Sequence, residues 1–334
     1  MVLHDPNNLE DLSGYAAFDI HRAVFKTIHS HPIHLDVLIP KSLSPQPAGA
    51  PLILRFHGGG LITGSSLLPA FFPTYLLDLA IQYSAIIISP NHRLLPEVAV
   101  SDILADIDDC WCWLHTDFHN FLSSNIQSTI KADLSRIFTI GDSAGGYLAL
   151  QTALSHPEGV RAACVSYPMV DIKDRWFMEH FHKQLFEIPQ LGMEVVEERS
   201  AMIKKLSEDE PTKEKIVLSE DPKLSAIMLM FAFIQHGLYR DYFDMGDARQ
   251  FPLERVQRGE RFPKGGILVL HGIQDSVVPV EHSRTLERVV KQAGPQANFC
   301  LLEREGDHGF DTEVTFQEPW LLEALAPLVR AWLE

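Results

Sequence analysis

The 334-residue chain has 28 Lys and Arg against 44 Asp and Glu, a formal net charge of −16 that repels polyphosphate backbones and anionic membranes, so nucleic acid is not an expected partner. Hydrophobic residues make up 46% and charged residues 22%, with mean hydropathy near zero, which allows a sizeable core and excludes a disordered or fibrous chain. The longest apolar stretch, 224–234, is far shorter than the roughly 20 residues that span a bilayer, so no transmembrane helix is expected.

In chain order, 23–28 and 34–39 read as strands of an antiparallel edge pair, separated by His31-Pro32 and followed by a Pro/Ser/Gly-rich loop at 41–50. From 51 the pattern changes to short apolar runs alternating with longer amphipathic ones. Strand 52–56, a helix near 69–83, strand 85–89, a helix at 102–115, strand 136–140, a helix from 143 to 155 and strand 162–166 follow in turn. This is the rhythm of a mostly parallel central sheet flanked by helices. It stops across 171–265, which is Met-rich, aromatic and mostly helical, and resumes with strand 266–270, a helix near 281–292, strand 298–302 and a closing helix at 319–333. The expected organisation is therefore a core in two parts, 1–170 and 266–334, interrupted by a helical cap insertion at 171–265.

Cys110, Cys112, Cys164 and Cys300 have no metal-ligand spacing, so free thiols are expected. The opening stretch 1–11 lacks the basic end and apolar run of a secretory signal, and both observations point to a cytoplasmic location.

Three signals carry chemistry. Gly141-Asp142-Ser143-Ala144-Gly145 is a G-x-S-x-G sequence placed after an apolar strand and opening a helix, where a nucleophilic serine sits on a tight turn between small residues. The helix that starts there aims free N–H groups, including that of Ala144, at a developing oxyanion. His57-Gly58-Gly59-Gly60 follows strand 52–56 and leaves backbone N–H groups open to a substrate oxygen; His57 itself is expected to hold the loop. The third signal is the pair of loops after the last two strands, which bring Asp275 and His308 to carboxyl ends of parallel strands, where sites form in open α/β sheets. Asp307 and Asp311 compete with Asp275 for the role of acid, but an immediate neighbour of the base tends to point away from it, which favours Asp275.

On these residues the sequence resembles the hormone-sensitive-lipase-like group of carboxylesterases. The matching stretches are HGGG at 57–60, GDSAGG at 141–146, the D-x-V-V-P segment at 275–279 and H-G-F at 308–310. The resemblance implies the α/β-hydrolase fold, with Gly59, Gly60 and Ala144 as oxyanion donors. The stretch 91–97 is similar to the group's Y-R-L-A-P-E, with His92 and Leu95 as departures, and only about twenty residues precede the first strand where many members have a longer helical segment. The segments 90–97 and 167–171 are similar to hydrolases of fungal polyketide pathways, some of which pass an acyl group to an alcohol.

The expected activity is ester hydrolysis through an acyl-enzyme on Ser143, with His308 as base, Asp275 as orienting acid and neither metal nor cofactor. The alternatives are a thioesterase or acyltransferase, with an acyl-carrier domain as a further partner, and a small-ligand receptor on an inert hydrolase scaffold. The substrate is expected to be a small-molecule acyl ester or thioester, with Met228 and Phe231 of the insertion as substrate contacts. The sequence leaves the oligomeric state open.

Overall fold

The computed structural model describes residues 11–125, 130–209, 217–294 and 296–334. Its framework is one eight-stranded sheet in the order β1-β2-β4-β3-β5-β6-β7-β8. Strands β1 (Phe18–Ile28) and β2 (His31–Pro40) pair antiparallel, and β2 runs antiparallel to β4 (Ile86–Pro90). The hairpin turn lies at His29 and Ser30, both at positive φ (45° and 65°), as a two-residue hairpin loop requires. It falls two residues earlier than the Pro32 signal suggested, because Pro32 lies at the start of β2 and does not interrupt it.

The remaining strands, β3 (Ala50–Phe56), β5 (Ala132–Asp142), β6 (Val160–Ser166), β7 (Ile267–Gly272) and β8 (Phe299–Arg304), run parallel with β4. Strands β3, β4 and β7 are buried along their whole length, as strands covered on both faces must be. Alternate side chains enter opposite cores. Leu52, Leu54 and Phe56 pack on one face with Ile86 and Ile88, while Ile53 and Ile87 pack on the other.

The helices are α1 (Thr74–Gln82), α2 (Val100–Thr116), α3 (Phe118–Asn125), α4 (Ala144–Ser155), α5 (Arg175–Met178), α6 (Glu194–Asp209), α7 (Ile227–His236), α8 (Pro252–Gln257), α9 (Val280–Ala293) and α10 (Pro319–Leu333). Helix α1 is shorter than expected because Pro73 caps its start, and Pro69–Phe71 forms a separate short turn. Helix α3 has no counterpart among the predicted elements; buried Phe118 and Leu122, one helical turn apart, hold it to the core.

Helices α5 to α8 lie between β6 and β7, and among the described residues this stretch contributes no strand to the sheet. Its apolar centre is α7, with Leu229 to Gln235 buried and Gly237 at φ 70° ending it in the left-handed conformation. The buried Lys183 ammonium donates to the terminal carbonyls of α7, at 2.7 Å to Ile234 and 3.2 Å to Gln235, where the helix dipole favours a cation. No helix among the described residues is long and apolar enough to cross a membrane.

From β3 the chain moves outward to β4 and then returns past β3 to β5, so the carboxyl ends of β3 and β5 border the crevice at which the strand order reverses. Both glycine-bearing motifs leave the sheet there.

Candidate active site

Ser143 lies between β5 and α4 at φ 54° and ψ −120°, a conformation that costs a non-glycine residue about 1–3 kcal/mol and persists only where the surroundings over-determine it. They do so here. Its N–H donates to the Ser166 carbonyl at 2.9 Å, and its own carbonyl accepts from Met169 N–H at 3.0 Å. A Cβ on Gly145 would lie 2.1 Å from the Phe56 carbonyl oxygen, so only glycine lets α4 start this close to β3. Ala144, the first helical residue, has an amide with no partner inside the helix.

The loop after β3 turns sharply, with Gly59 at φ 103° and Gly60 at φ 64°. Gly59 lines a cavity together with Ser143 and His308. The Gly60 carbonyl accepts from Tyr239 Oη at 2.9 Å, tying the turn to the insertion. His57 is fully buried, stacks on His92 at 4.6 Å and bonds through Nδ1 to the Gly58 carbonyl at 2.8 Å. Burial, with His92 and Arg55 nearby, holds its pKa well below the usual imidazole value, so it braces the loop as a neutral ring.

His308 Nδ1 lies 2.8 Å from Asp275 Oδ2. A carboxylate can only accept, so Nδ1 carries the proton and Nε2 is left as an acceptor. The other carboxylate oxygen of Asp275 takes the N–H groups of Val277 and Val278 at 2.9 and 2.8 Å. Burial alone would raise the Asp275 pKa, but the His308 charge and bonds from His271 and His308 outweigh it and hold it well below the carboxylate range. Burial likewise opposes a charged His308, yet the charge and bond of Asp275, with Asp142 and Asp307 beyond, raise the imidazole pKa.

The two competing acids have other partners. Asp307 accepts from the N–H groups of Ser276 and His308, both at 2.7 Å. Asp311 is buried and accepts from Ser166 Oγ at 2.5 Å and Tyr167 Oη at 2.8 Å, which joins the His308 loop to the end of β6. Ser143 and His308, at the ends of β5 and β8, thus line one cavity, and Asp275, after β7, bonds to His308 Nδ1 from outside that lining.

The sequence profile of the α/β-hydrolase fold family matches residues 53–219, half of the chain. The chain belongs to that family. A probable carboxylesterase of Phoma sp. is 28% identical, the match covering 96% of this hydrolase and 98% of the relative. A non-reducing polyketide synthase of Preussia isomera is 26% identical over 88% of this chain but only 14% of the synthase. Among solved structures, a Rhizomucor miehei esterase has a TM-score of 0.61 at 19% identity, covering 99% of this chain and 87% of that one.

The stretch between β6 and β7 supplies part of the apolar wall of the hydrolase's cavity, but one expected contact is misplaced. Phe231 lines the cavity, whereas Met228 does not and is 39% exposed. At 100° per residue, positions 227, 230 and 231 share one face of α7 and 228 points away, so Ile227 and Met230 line the cavity in its place.

Phe71, Phe186, Tyr167 and Asp142 are among the further lining residues that the sequence analysis did not assign to the site. Phe71 comes from the turn before α1, and Phe186 from the α5–α6 connection. Tyr167, at φ 38° just past β6, sets its ring 4.4 Å from that of His308. Asp142 is buried beside Arg55 Nη2 at 3.3 Å; burial pushes its carboxyl up to about 6 against the opposing Arg55 charge. Asp142, one residue before the serine, had a sequence signal in the G-x-S-x-G motif that contains it, and Tyr167 opens the 167–171 segment noted for its resemblance, though neither was assigned to the site. Asp142 and His308 are the cavity's only Asp, Glu, Lys, Arg or His side chains among the described residues. All four cysteines are free thiols, Cys110 and Cys164 buried and Cys112 and Cys300 exposed.

Proposed function

We propose that this α/β hydrolase is a carboxylesterase that works through an acyl-enzyme on Ser143. The observation that carries the reading is the 2.8 Å bond from His308 Nδ1 to Asp275, which leaves Nε2 as an acceptor on a ring that lines the same cavity as a serine held at positive φ. In this mechanism His308 Nε2 takes the Ser143 hydroxyl proton as Oγ attacks the ester carbonyl, and Asp275 stabilises the imidazolium. The N–H groups of Gly59, Gly60 and Ala144 receive the oxyanion. His308 then protonates the departing alcohol, and water, activated by the same imidazole, releases the acid. The stretch 171–265 acts as a cap that covers this chemistry, and Phe231 is its substrate contact. The substrate is a small-molecule ester.

Ser143→Ala and His308→Ala are each expected to lower kcat by up to about a million-fold, with little further loss when combined, because the groups act as one unit. Additive losses in folded variants contradict the assignment.

The match to part of a polyketide synthase favours a second reading, in which the acyl group arrives as a thioester and leaves to water or to an alcohol. Rates on oxygen esters and thioesters of the same acyl group separate the two. A kcat/KM at least about tenfold higher for the thioester would favour the second reading.

A further inference from the structure

The connection between α5 and α6 contains a backbone conformation that its residue does not favour. Phe186 sits at φ 50° between Leu185 and Ile188, whose bridge closes through an Ile188 N–H to Leu185 carbonyl bond of 3.0 Å. Such a conformation marks a place where the surroundings dictate the backbone. The Phe186 N–H donates to Ser276 Oγ at 2.9 Å, and Ser276 directly follows Asp275. Ser276 donates in turn from its N–H and its hydroxyl to Asp307, at 2.7 and 2.9 Å, and Asp307 also holds the His308 N–H at 2.7 Å. One chain of bonds therefore fixes the 185–188 turn to both loops that carry the acid and the imidazole.

The bonds fix a ring in the cavity wall. Phe186 stands edge-on to Phe231, centroids 6.2 Å apart at 85°, and to His308, 6.5 Å apart at 66°. No Lys or Arg lines the cavity among the described residues, so its lining offers no cation to an anionic substrate.

We propose that Phe186 is a specificity-determining residue, that its ring limits the length of the acyl group bound beside His308, and that Ser276 is the positioning residue that holds it there. The substrate class is then a neutral ester of a short apolar acid. This inference rests on the esterase reading.

The test is the kcat/KM profile of a p-nitrophenyl ester series with straight acyl chains from two to ten carbons. Phe186→Ala should move the optimum to longer chains. Each methylene newly accommodated adds about three- to fourfold, so two or more should raise the long-to-short ratio at least about tenfold. Phe186→Leu, which keeps an apolar branch in the cavity, should shift the profile by less and serves where the alanine variant does not fold. Phe186→Gly accepts φ 50° without strain and should shift the optimum as alanine does, which separates the ring from the backbone. Ser276→Ala should broaden the profile, and Ser276→Thr, which keeps the hydroxyl, should restore it.

An unchanged optimum in folded Phe186→Leu and Phe186→Ala, a shift confined to the alcohol side of acetate esters, or a Ser276→Ala loss equal at every chain length overturns the inference. A wild-type enzyme inert towards all these esters overturns the esterase reading itself.

Discussion

Replacing Asp275 by Asn changes one atom and should silence the enzyme through the tautomer of His308. In the wild type, Asp275 Oδ1 accepts from the Val277 and Val278 amides and Oδ2 from His308 Nδ1. An asparagine keeps one acceptor, and the two backbone donors claim it, because leaving both unpaired and buried costs about 1–3 kcal/mol each. The NH2 group is then aimed at His308 Nδ1, which must become an acceptor and push its proton to Nε2. A protonated Nε2 cannot take the proton from Ser143. The expected loss in kcat is about ten-thousand-fold, or about 5.5 kcal/mol of transition-state stabilisation. Steady-state kinetics on a short p-nitrophenyl ester would measure it, with a thermal melt to confirm folding. Asp307→Asn, whose site contacts only the His308 backbone and Ser276, should cost less than about tenfold by comparison. A folded Asp275→Asn enzyme that retains more than a tenth of wild-type kcat, or an Asp307→Asn enzyme that is worse, would refute this reasoning.

Because the working base is neutral imidazole and its neighbours raise the His308 pKa, kcat/KM should fall as pH drops, with a midpoint above the ordinary 6.5, read from a pH–rate profile. Stability runs the opposite way: the attraction of charged His308 to Asp275 is fully present below the unfolded imidazole value and is lost as pH rises through the folded one. Arg55→Met removes the cation beside buried Asp142 and should destabilise by about 3–5 kcal/mol at pH 8. The loss should be smaller at pH 5, below the Asp142 value of about 6, where the carboxyl is neutral; equal losses in urea titrations at the two pH values would contradict this. Met230→Gln should flatten the rise of kcat/KM with acyl length, whereas exposed Met228→Gln should leave the profile unchanged in the same ester series.

The framework was legible because the parallel strands are short, mostly apolar runs between amphipathic helices, as at 52–56 and 266–270, and local pattern is enough to identify such a unit. Asp275 and His308 were readable as neighbours because both follow strands that end on one side of the sheet. The face of α7 was not readable. An almost continuously apolar segment, Ile227 to Ile234, has no polar stripe to set its phase, so Met228 and Met230 look equivalent until the helix is docked. The site roles of Phe186 and Tyr167 were not readable for another reason: they lie in contacts with Ser276, His308 and Asp311, more than eighty residues away in the chain. The hairpin at His29-Ser30 lacks the usual Asn-Gly signal, which is why Pro32 drew the boundary to the wrong place.

The most direct test of the central claim is to treat the protein with a small fluorophosphonate and locate the adduct by peptide mass spectrometry. The account predicts one stoichiometric phosphonyl group, on Ser143, formed rapidly in the wild type, at least about a thousandfold more slowly in His308→Ala and not at all in Ser143→Ala. A wild-type protein that stays unlabelled, or that carries the group on another residue, would contradict it.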